Sequence, residues 1–262
     1  AIQVPYTGII DYKAVAEKLG QLIRDAGSEI LLGTRVDAIR ELDQEGVLIQ
    51  AGKSEFRAKL AINCAGLYSD KVAAMTDREV NVRIIPFRGE YYMIKPERQS
   101  LVRHLIYPVP DPAFPFLGVH FTRMISGGVE AGPNAVFAFK REGYHRNSFH
   151  FGELMDSLAW PGFRKVARKY WRTGMGEFYR SYSKQAFTKA LQRLIPDVKE
   201  DDLVPAGAGV RAQACDRTGG LIDDFMFLDK KSVIHVLNAP SPAATSSLSI
   251  GKTIATMALN RL

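Results

Sequence analysis

The sequence predicts a fold of the α/β plus α+β class. Two apolar runs, 60–64 and 233–237, each lead through small residues into a helical pattern, which is typical of a strand–turn–helix unit in an open α/β sheet. Between them, strand-like runs separated by turn residues fill positions 80–132, and a mostly helical stretch covers 151–195. This order predicts an α/β part interrupted by an antiparallel sheet that has its own helices.

Length and composition limit the class of protein. The 262 residues suffice for one large domain or two small ones, and 46% hydrophobic with 24% charged residues is typical of a soluble globular protein. No apolar run is long enough to predict a transmembrane helix. Cys64 and Cys215 make no metal spacing and favour a reducing compartment, so a cytoplasmic location is expected. The first residues lack a signal peptide and an initiator Met, which predicts that the chain begins inside a longer sequence.

The first elements follow from caps and turns. The apolar stripe of 11–26 predicts a helix that Asp11 caps and that ends before Gly27. Residues 29–32 predict a short strand, and 35–42 with 46–51 predict a hairpin.

The apolar run 60–64 predicts a buried strand, which enters a turn of small residues that includes Ala65 and Gly66, and a short helix through Met75. Such a turn is where open α/β sheets bind nucleotides, although a plain strand-to-helix connection has the same pattern.

The middle of the chain predicts an α+β region with an antiparallel sheet. Strands are expected over 80–94, 116–123 and 127–132, whereas 105–112 contains too many prolines for a central strand. The helical stretch 151–195 supplies apolar side chains for core faces, namely Leu154, Leu158, Val166, Trp171, Phe187, Leu191 and Leu194.

The C-terminal part returns to strands at 210–214, 225–228 and 233–237. The following turn, 238–247, predicts a helix start with Ser241 as the cap and Pro242 in the first helical position. Small side chains leave the N–H groups of the first turn open to an anion or to a carbonyl oxygen that becomes anionic. An ordinary capped helix that binds nothing has the same pattern.

The motif Gly207–Ala212 reads G-x-G-x-x-A, but no helical pattern follows it. A dinucleotide-binding loop needs a strand before and a helix after the glycines, so we reject this match. The spacing of His, Cys and carboxylate residues predicts no metal site.

His120 and His104 are candidate functional residues, because a histidine can take up a hydroxyl proton near neutral pH. A histidine that only fills the core or the surface is the alternative interpretation for both.

Three arginines, Arg88, Arg123 and Arg211, lie in strand-like runs among small or aromatic residues, with Tyr91 and Tyr107 nearby in sequence. An arginine that points into a pocket binds a carboxylate with two parallel hydrogen bonds, so the group favours a small acidic substrate. Arginines on a solvated sheet face are the alternative.

The net charge of +7 is concentrated in one region, since 140–193 contains 12 Lys/Arg against 4 Asp/Glu. Within 165–193, basic residues alternate with aromatic ones, a pattern that fits an anionic membrane surface, nucleic acid or a merely solvated face. Nucleic acid is not expected because no recognised nucleic-acid-binding fold is present.

Taken together, several runs resemble the L-2-hydroxyglutarate oxidases and dehydrogenases, a branch of the FAD-dependent D-amino-acid oxidase/glycine oxidase (DAO) superfamily. The resemblance covers nearly the whole chain and rests on runs in the family order, which are 86–91, 104–112, 116–120, 132–135, 139–144, 208–214, 221–225 and 238–246. One departure is that the family's N-terminal G-x-G-x-x-G unit, which holds FAD, does not occur here.

The resemblance implies a partial, Rossmann-like FAD-binding domain of the DAO type with an inserted antiparallel-sheet substrate domain. Residues 1–79 and 205–262 correspond to the FAD-binding domain, and 80–204 correspond to the substrate domain. The implied reaction is oxidation of L-2-hydroxyglutarate, a small dicarboxylate, to 2-oxoglutarate. The C2 hydride goes to N5 of the flavin, and oxygen or a quinone is the final electron acceptor.

The resemblance also implies roles for individual residues. The cofactor-binding positions are Ala65 and Gly66 near the ADP half, and Pro240, Ser241, Ala243, Ala244, Thr245 and Ser246 at the flavin N1/C2 carbonyl. The substrate positions are Arg211 for one carboxylate, Arg88 or Arg123 for the other, Tyr107, and His120 as the base. Alternatives are a truncated chain that binds no FAD and a related oxidase for another small 2-hydroxy or amino acid. Peripheral contact with the anionic inner membrane is compatible with the enzyme.

Overall fold

The computed structural model describes residues 2–43, 46–109, 118–239 and 243–262. The helices in these ranges are α1 (Tyr12–Asp25), α2 (Ser69–Ala73), α3 (Phe151–Ala159), α4 (Pro161–Tyr182), α5 (Lys184–Leu191) and α6 (Ser247–Leu259). The strands are β1 (Ala38–Glu41), β2 (Val47–Ala51), β3 (Ser54–Ala58), β4 (Ala61–Asn63), β5 (Val82–Ile94), β6 (His120–Arg123), β7 (Val129–Gly132), β8 (Val136–Phe137), β9 (Leu203–Asp216), β10 (Met226–Asp229) and β11 (Val233–Asn238).

The chain divides into two compact units. The first unit contains Ala1–Leu32, Gly89–Ala135 and Gly176–Ala208, and the second contains Gly33–Arg88, Val136–Met175 and Gly209–Leu262. The elements β5, β9 and α4 therefore contribute residues to both units.

The second unit contains an antiparallel sheet in the order β1-β2-β3. Ala38 pairs with Gln50, which confirms the predicted hairpin, and Val47 pairs with Ala58 of the third strand. The strand β3 was not predicted, because all of its residues are exposed and its sequence has no apolar alternation. It forms because Gly52, with φ of +60°, reverses the chain so that β3 lies along β2.

A second sheet in this unit has the order β10-β11-β4, with β11 parallel to β4 and antiparallel to β10. All six residues of β11 are buried, as expected for the apolar run of a central strand. After β4 the chain enters a short 3-10 turn, Gly66–Tyr68, and then α2. This confirms the first predicted strand–turn–helix unit.

The second strand–turn–helix unit joins β11 to α6. A 3-10 turn, Ala244–Ser246, precedes the helix, which begins at Ser247. Ser246 is the residue before the helix, and its side chain makes no capping hydrogen bond. The predicted cap at Ser241, with Pro240 and Pro242 beside it, lies outside the described residues.

The first unit contains an antiparallel sheet in which β7 lies between β6 and β5. Ala131 of β7 pairs with Phe121 on one side and with Tyr92 on the other. The described part of the proline-rich segment forms a single bridge, from Ile106 to Phe121. The core on one face of this sheet is formed by Tyr92, Ile94, Val102, Phe121, Val129, Ala131, Phe187, Leu191, Val198 and Leu203.

Helix α1 confirms its predicted ends. The carboxylate of Asp11 accepts hydrogen bonds from the backbone N–H of Lys13 and Ala14, and Gly27 has φ of +79°. Its apolar stripe stays largely uncovered, since the helix has no buried residue. The predicted strand at 29–32 is wrong, because no described strand pairs with these residues and the chain turns at 32–33 instead.

The helical prediction for 151–195 is confirmed by α3, α4 and α5. Two predicted core residues are wrong, since Leu158 is 40% and Trp171 is 58% exposed. Trp171 follows Tyr170, whose backbone dihedral angles are not helical. Helical spacing therefore does not predict which residues after Tyr170 share the buried face of the residues before it. The core instead contains Trp160, which packs with Phe163 and with other buried side chains.

The rejected G-x-G-x-x-A motif, 207–212, lies inside β9 and is not followed by a helix, in agreement with its rejection. Within the described ranges, every helix is too short or too polar to cross a bilayer.

Candidate functional site

A cavity of about 460 Å³ lies in the second unit, where the two strand–turn–helix connections meet. Because β4 and β11 are parallel, their carboxyl ends reach the same edge of the sheet, which is where open α/β sheets bind ligands. The lining residues are Cys64, Gly66, Ala212, Val236, Leu237, Asn238, Ala239, Ala243, Ala244, Ser247, Ile250, Gly251 and Ile254.

The cavity brings together three of the predicted cofactor residues, Gly66, Ala243 and Ala244. Gly66 has φ of +53°, a conformation that glycine adopts readily and other residues avoid. Ala65 stands directly before Gly66, and its N–H is bound by the side chain of Asn63.

The remaining predicted cofactor residues do not line the cavity or are not described. Thr245 and Ser246 are exposed in the 3-10 turn, and the Ser246 N–H donates to the carbonyl of Ala243. Pro240 and Ser241 lie outside the described residues.

Two buried polar groups fix the turn after β4. Asn63 donates to the carbonyl of Ser69 at 2.9 Å and contacts Nδ1 of His235 at 3.0 Å, while the Ser69 hydroxyl donates to the carbonyl of Leu237 at 3.0 Å. Burial lowers the pKa of His235 below its ordinary value. Short-range sequence reasoning missed this cluster, because its members are brought together by the parallel pairing of β4 and β11.

A buried ion pair supports the same turn. The guanidinium of Arg141 donates to both carboxylate oxygens of Asp70, at 2.7 and 2.8 Å, and also to the carbonyl of Leu67. Arg141 is 2% exposed and Asp70 is 1% exposed. A carboxylate oxygen of Asp156 lies 3.4 Å from the guanidinium of Arg141. Burial raises the pKa of Asp156 and is the largest single contribution, but Lys71, Arg83 and Arg141 together outweigh it. The pKa of Asp156 is therefore lowered.

The first unit contains the predicted base. His120 begins β6, and its imidazole stacks on the ring of Tyr107 with centroids 4.2 Å apart. Nδ1 of His120 lies 3.1 Å from the carbonyl of Gly118. A carbonyl only accepts hydrogen bonds, so Nδ1 carries the proton and Nε2 is the basic nitrogen. Burial lowers the pKa of His120 and the contact with Gly118 partly offsets this effect.

Further polar side chains share this face of the sheet. Thr122 lies on the same face as His120, its hydroxyl is 3.3 Å from that of Tyr107, and Glu130 pairs with it across the strands. Burial raises the pKa of Glu130. Burial, together with the charges of Glu130 and Tyr107, raises the pKa of Tyr91 to about 12. Thr122 and Glu130 were missed, although the two-residue alternation of β6 and β7 was a usable signal.

The three candidate arginines have different environments. Arg123 lies on the opposite face of β6 from His120 and donates to the carbonyl of Val102 at 2.9 Å. Arg88 and Arg211 belong to the second unit. Arg88 is 4% exposed and donates to the carbonyl of His145 at 3.3 Å, and burial lowers the pKa of Arg211. Arginine stays charged under these conditions and can still bind a carboxylate.

Among the residues that the structure describes, no three His, Cys, Asp or Glu side chains are grouped so that they could hold a metal ion.

Comparison with known proteins places this geometry in a family. A family model described as FAD dependent oxidoreductase (DAO) matches residues 1–257. The L-2-hydroxyglutarate dehydrogenase of Indibacter alkaliphilus is 63% identical over 262 residues, which are 100% of this chain and 65% of that relative. The L-2-hydroxyglutarate dehydrogenase of Escherichia coli K12 is 44% identical over 251 residues, which are 95% of this chain and 59% of that relative. The chain therefore spans less than two thirds of the length of these relatives.

A solved structure shows the same fold at low identity. It is the dithionite-reduced L-α-glycerophosphate oxidase of Mycoplasma pneumoniae with FAD bound, which has a TM-score of 0.65 and 16% identity and covers 90% of this chain and 52% of that one. This likeness confirms the predicted fold class, a mixed α/β architecture with antiparallel sheets of the kind found in FAD-dependent oxidoreductases. With a family model that matches almost all of its residues, the chain belongs to the DAO family of FAD-dependent oxidoreductases.

Proposed function

We propose that the chain acts in the FAD-dependent oxidation of L-2-hydroxyglutarate to 2-oxoglutarate. The observation that carries this proposal is the 63% identity, over the whole chain, to a protein named L-2-hydroxyglutarate dehydrogenase. The partly buried polar face with His120 and Tyr107 supports it, because removal of a hydroxyl proton needs a neutral base away from bulk water.

The cavity in the second unit is the proposed contact with FAD. Gly66, Ala212, Ala243, Ala244 and Gly251 line it with small side chains, so a flat ring system can approach the backbone closely. The N-terminus of α6 supplies the positive end of a helix dipole, which favours an oxygen that gains negative charge. Ala65, Pro240, Ser241, Thr245 and Ser246 are further proposed cofactor contacts, as the resemblance implies.

FAD, when bound, would supply a hydride acceptor at N5 of its flavin. The chain's own part is to hold the substrate and take up the hydroxyl proton. Nε2 of His120 takes this proton as the C2 carbonyl forms, and Tyr107 holds the imidazole ring by stacking on it. Arg211 and Arg88 are the proposed partners of the two substrate carboxylates, whereas Arg123 is not retained because it lies on the opposite face of β6 from His120.

We further propose that 1–79 and 205–262 belong to the FAD-binding domain and that 80–204 form the substrate domain. Oxygen or a quinone is the proposed electron acceptor. A cytoplasmic location is proposed with it.

A product assay tests this proposal. The chain is supplied with FAD and an artificial electron acceptor, and reduction of the acceptor is measured with L-2-hydroxyglutarate, D-2-hydroxyglutarate, glycine or sn-glycerol 3-phosphate as substrate. With the two 2-hydroxyglutarate isomers, 2-oxoglutarate is measured as well. Formation of 2-oxoglutarate from the L isomer alone is expected. Faster turnover of glycine or of sn-glycerol 3-phosphate would favour a related oxidase, and no product from any substrate would favour a chain without activity.

Helix α4 favours a second role, peripheral contact with an anionic membrane. Trp171 is 58% and Met175 is 62% exposed, and the guanidinium of Arg172 lies 5.3 Å from the Trp171 ring. Exposed aromatic and basic side chains on one helix suit the interface of an anionic bilayer. Such contact would bring the protein close to a membrane quinone.

Sedimentation with vesicles tests this contact. The wild type is expected to bind vesicles that contain anionic lipid and not to bind neutral vesicles. Binding to the anionic vesicles is expected to weaken in Trp171→Ala. It should not weaken in Leu248→Ala, which removes a side chain that is 71% exposed on another helix. Equal sedimentation with neutral vesicles would contradict the proposal.

A further inference from the structure

His235 is a completely buried histidine that has no part in the proposed chemistry. It lies in the central strand β11 with 0% exposure and stands opposite Asn63 of the parallel strand β4. A histidine in such a position must satisfy both ring nitrogens within the protein. The contacts of His235 show how it does so and which nitrogen carries the proton.

The orientation of the Asn63 amide follows from its other partners. The N–H of Ala65 can only donate, so the atom 3.0 Å from it is Oδ1 of Asn63. The carbonyl of Ser69 can only accept, so the atom 2.9 Å from it is Nδ2. This same Nδ2 is 3.0 Å from Nδ1 of His235. Nδ1 therefore accepts a hydrogen bond and carries no proton.

The other side of the ring agrees with this assignment. The hydroxyl of Thr76 donates to the carbonyl of Ala73 at 3.2 Å, so its proton is already used. Its oxygen lies 2.8 Å from Nε2 of His235 and accepts the Nε2 proton. These hydrogen bonds form a series that runs from the carbonyl of Ala73 through Thr76, His235 and Asn63 to the N–H of Ala65. All of them can form together only if the His235 ring is neutral and carries its proton on Nε2.

This hydrogen-bonded chain ends at the cavity wall. Asn63 holds the N–H of Ala65 and the carbonyl of Ser69, which are the two ends of the turn after β4. Cys64 and Gly66 of that turn line the cavity. A protonated His235 would present an N–H to Nδ2 of Asn63, and two donors cannot bond, so the amide must turn away and release the Ala65 N–H.

We infer that His235 is a positioning residue of the cofactor cavity, which holds the turn after β4 through Asn63 only while its ring is neutral, so that acid releases the turn and weakens FAD binding. The inference rests on the proposed function in one respect, namely that FAD occupies this cavity.

The charges around His235 are few. Glu41 and Asp77 raise the pKa of the ring and Lys230 lowers it, but burial is the largest contribution and the net pKa is lowered. Lys230 forms an ion pair with Asp77 at 2.5 Å, so the two charges partly cancel at the ring. The charged residues of the adjoining elements have partners of their own: Asp70 binds Arg141, Lys71 binds Asp156 and Asp229 binds Arg261.

The direction of the pH effect follows. Unfolded histidine has a pKa of about 6.5, and the pKa of folded His235 is lower. The unfolded chain therefore binds more protons between these two values. The contribution of His235 to stability is complete above about pH 6.5 and is lost as the pH falls below it.

Two substitutions separate the ring's two hydrogen bonds. His235→Asn places an amide oxygen near the position of Nδ1, so it accepts from Asn63 and cannot be protonated. His235→Gln reaches the position of Nε2 and leaves Nδ2 of Asn63 without its acceptor. In the wild type, the FAD dissociation constant is expected to rise between about pH 7.5 and about pH 5.5, by at most about tenfold because the pKa of His235 lies below about 6.5. In His235→Asn it should stay nearly constant, and in His235→Gln it should already be raised about tenfold at pH 7.5.

An unchanged acid loss in His235→Asn, or wild-type affinity in His235→Gln, would overturn the inference. Nitrogen NMR of the unmodified chain provides a test that needs no substitution. The expected signal at neutral pH is the neutral ring with its proton on Nε2, and a proton on Nδ1 would overturn the inference.

Hydrogen exchange at the Ala65 N–H separates this inference from the proposed function. Exchange in the wild type should exceed that of His235→Asn increasingly as the pH falls. Equal exchange in both proteins would show that His235 does not hold the turn after β4, even if FAD binds. If instead exchange behaves as expected and FAD binds at no pH, His235 does position the turn, and the proposed cofactor contact is wrong.

Discussion

Two histidines of this chain carry their single proton on opposite nitrogens, and the difference matches their proposed roles. Nδ1 of His120 donates to the carbonyl of Gly118, which leaves Nε2 as a base on a polar face. Nδ1 of His235 accepts from Asn63, which makes this ring part of a buried scaffold. A sequence pattern cannot distinguish them, because both lie in apolar strands and the partner atoms come from other segments.

The base role of His120 predicts both a rate loss and a change in the pH profile. His120→Ala should lower kcat by about 10²- to 10⁴-fold, the usual contribution of a general base. Because burial lowers the pKa of His120, wild-type kcat/KM should stay level down to about pH 6.5 and fall below it, as the base is protonated. The fall of kcat/KM at acid pH should disappear in His120→Ala.

The control for this variant is His104→Ala, which changes an exposed histidine of the same unit. Its rate and pH profile should equal those of the wild type. A normal reduction rate in His120→Ala, with an unshifted pH profile, would rule out the base role.

Arg211 tests substrate binding. Arg211→Lys keeps the charge but loses the planar fork that binds a carboxylate with two parallel hydrogen bonds. Loss of one charged hydrogen bond is expected to lower kcat/KM for L-2-hydroxyglutarate by about 10- to 100-fold. Arg57→Lys, at an exposed position of β3, is the matched control and should change nothing. Equal catalytic efficiency in both variants would remove Arg211 from the site.

At the scale of elements, the packing of β7 against β5 depends on one glycine. Gly132 pairs with His120 and has φ of +141°, and a Cβ added there would lie 2.8 Å from the carbonyl oxygen of Glu90. This close approach is made to backbone, which cannot move away as a flexible side chain would. The strand that carries the proposed base is therefore fixed by a position that tolerates only glycine.

Gly132→Ala is expected to lower the free energy of unfolding by about 1–3 kcal/mol, from backbone strain alone. Gly174→Ala is the control, because this helical glycine has nothing within 4 Å of the added Cβ. It should raise the free energy of unfolding by about 0.5–1 kcal/mol. Urea unfolding measures both, and a Gly132→Ala protein as stable as the wild type would contradict the packing described for β7.

The turn between β4 and α2 depends on a buried ion pair. Arg141→Ala removes the guanidinium that donates to both carboxylate oxygens of Asp70 and leaves a carboxylate that is 1% exposed. Such a loss is expected to cost about 3–5 kcal/mol in the free energy of unfolding. Arg35→Ala, which removes an arginine side chain that is 89% exposed, should be indistinguishable from the wild type. A loss below about 1 kcal/mol in Arg141→Ala would show that the pair does not hold the turn.

At the scale of the whole molecule, local patterns predicted much of the fold. Caps and glycine placed α1, and an unbroken apolar run identified the central strand β11, because these features depend on neighbouring residues. The strand β3 and the exposure of Trp171 were missed, since pairing with β2 and a break at Tyr170 decide them.

The candidate site was only partly predictable for the same reason. Gly66, Ala243 and Ala244 line one cavity, and Tyr107 stacks on His120, but the roles of these residues stay predictions. The Asp70–Arg141 pair joins positions 71 residues apart, and the His235–Asn63 contact joins positions 172 apart. Only the folded sheet brings such residues together.

Reduction of bound flavin by the substrate tests the central claim most directly. The chain is incubated with FAD, desalted and mixed with L-2-hydroxyglutarate under anaerobic conditions, with D-2-hydroxyglutarate as the control. We expect retained flavin whose absorbance bleaches with the L isomer only. Retained flavin that neither isomer bleaches would contradict the proposed substrate, and a chain that retains no flavin would contradict its proposed part in binding FAD.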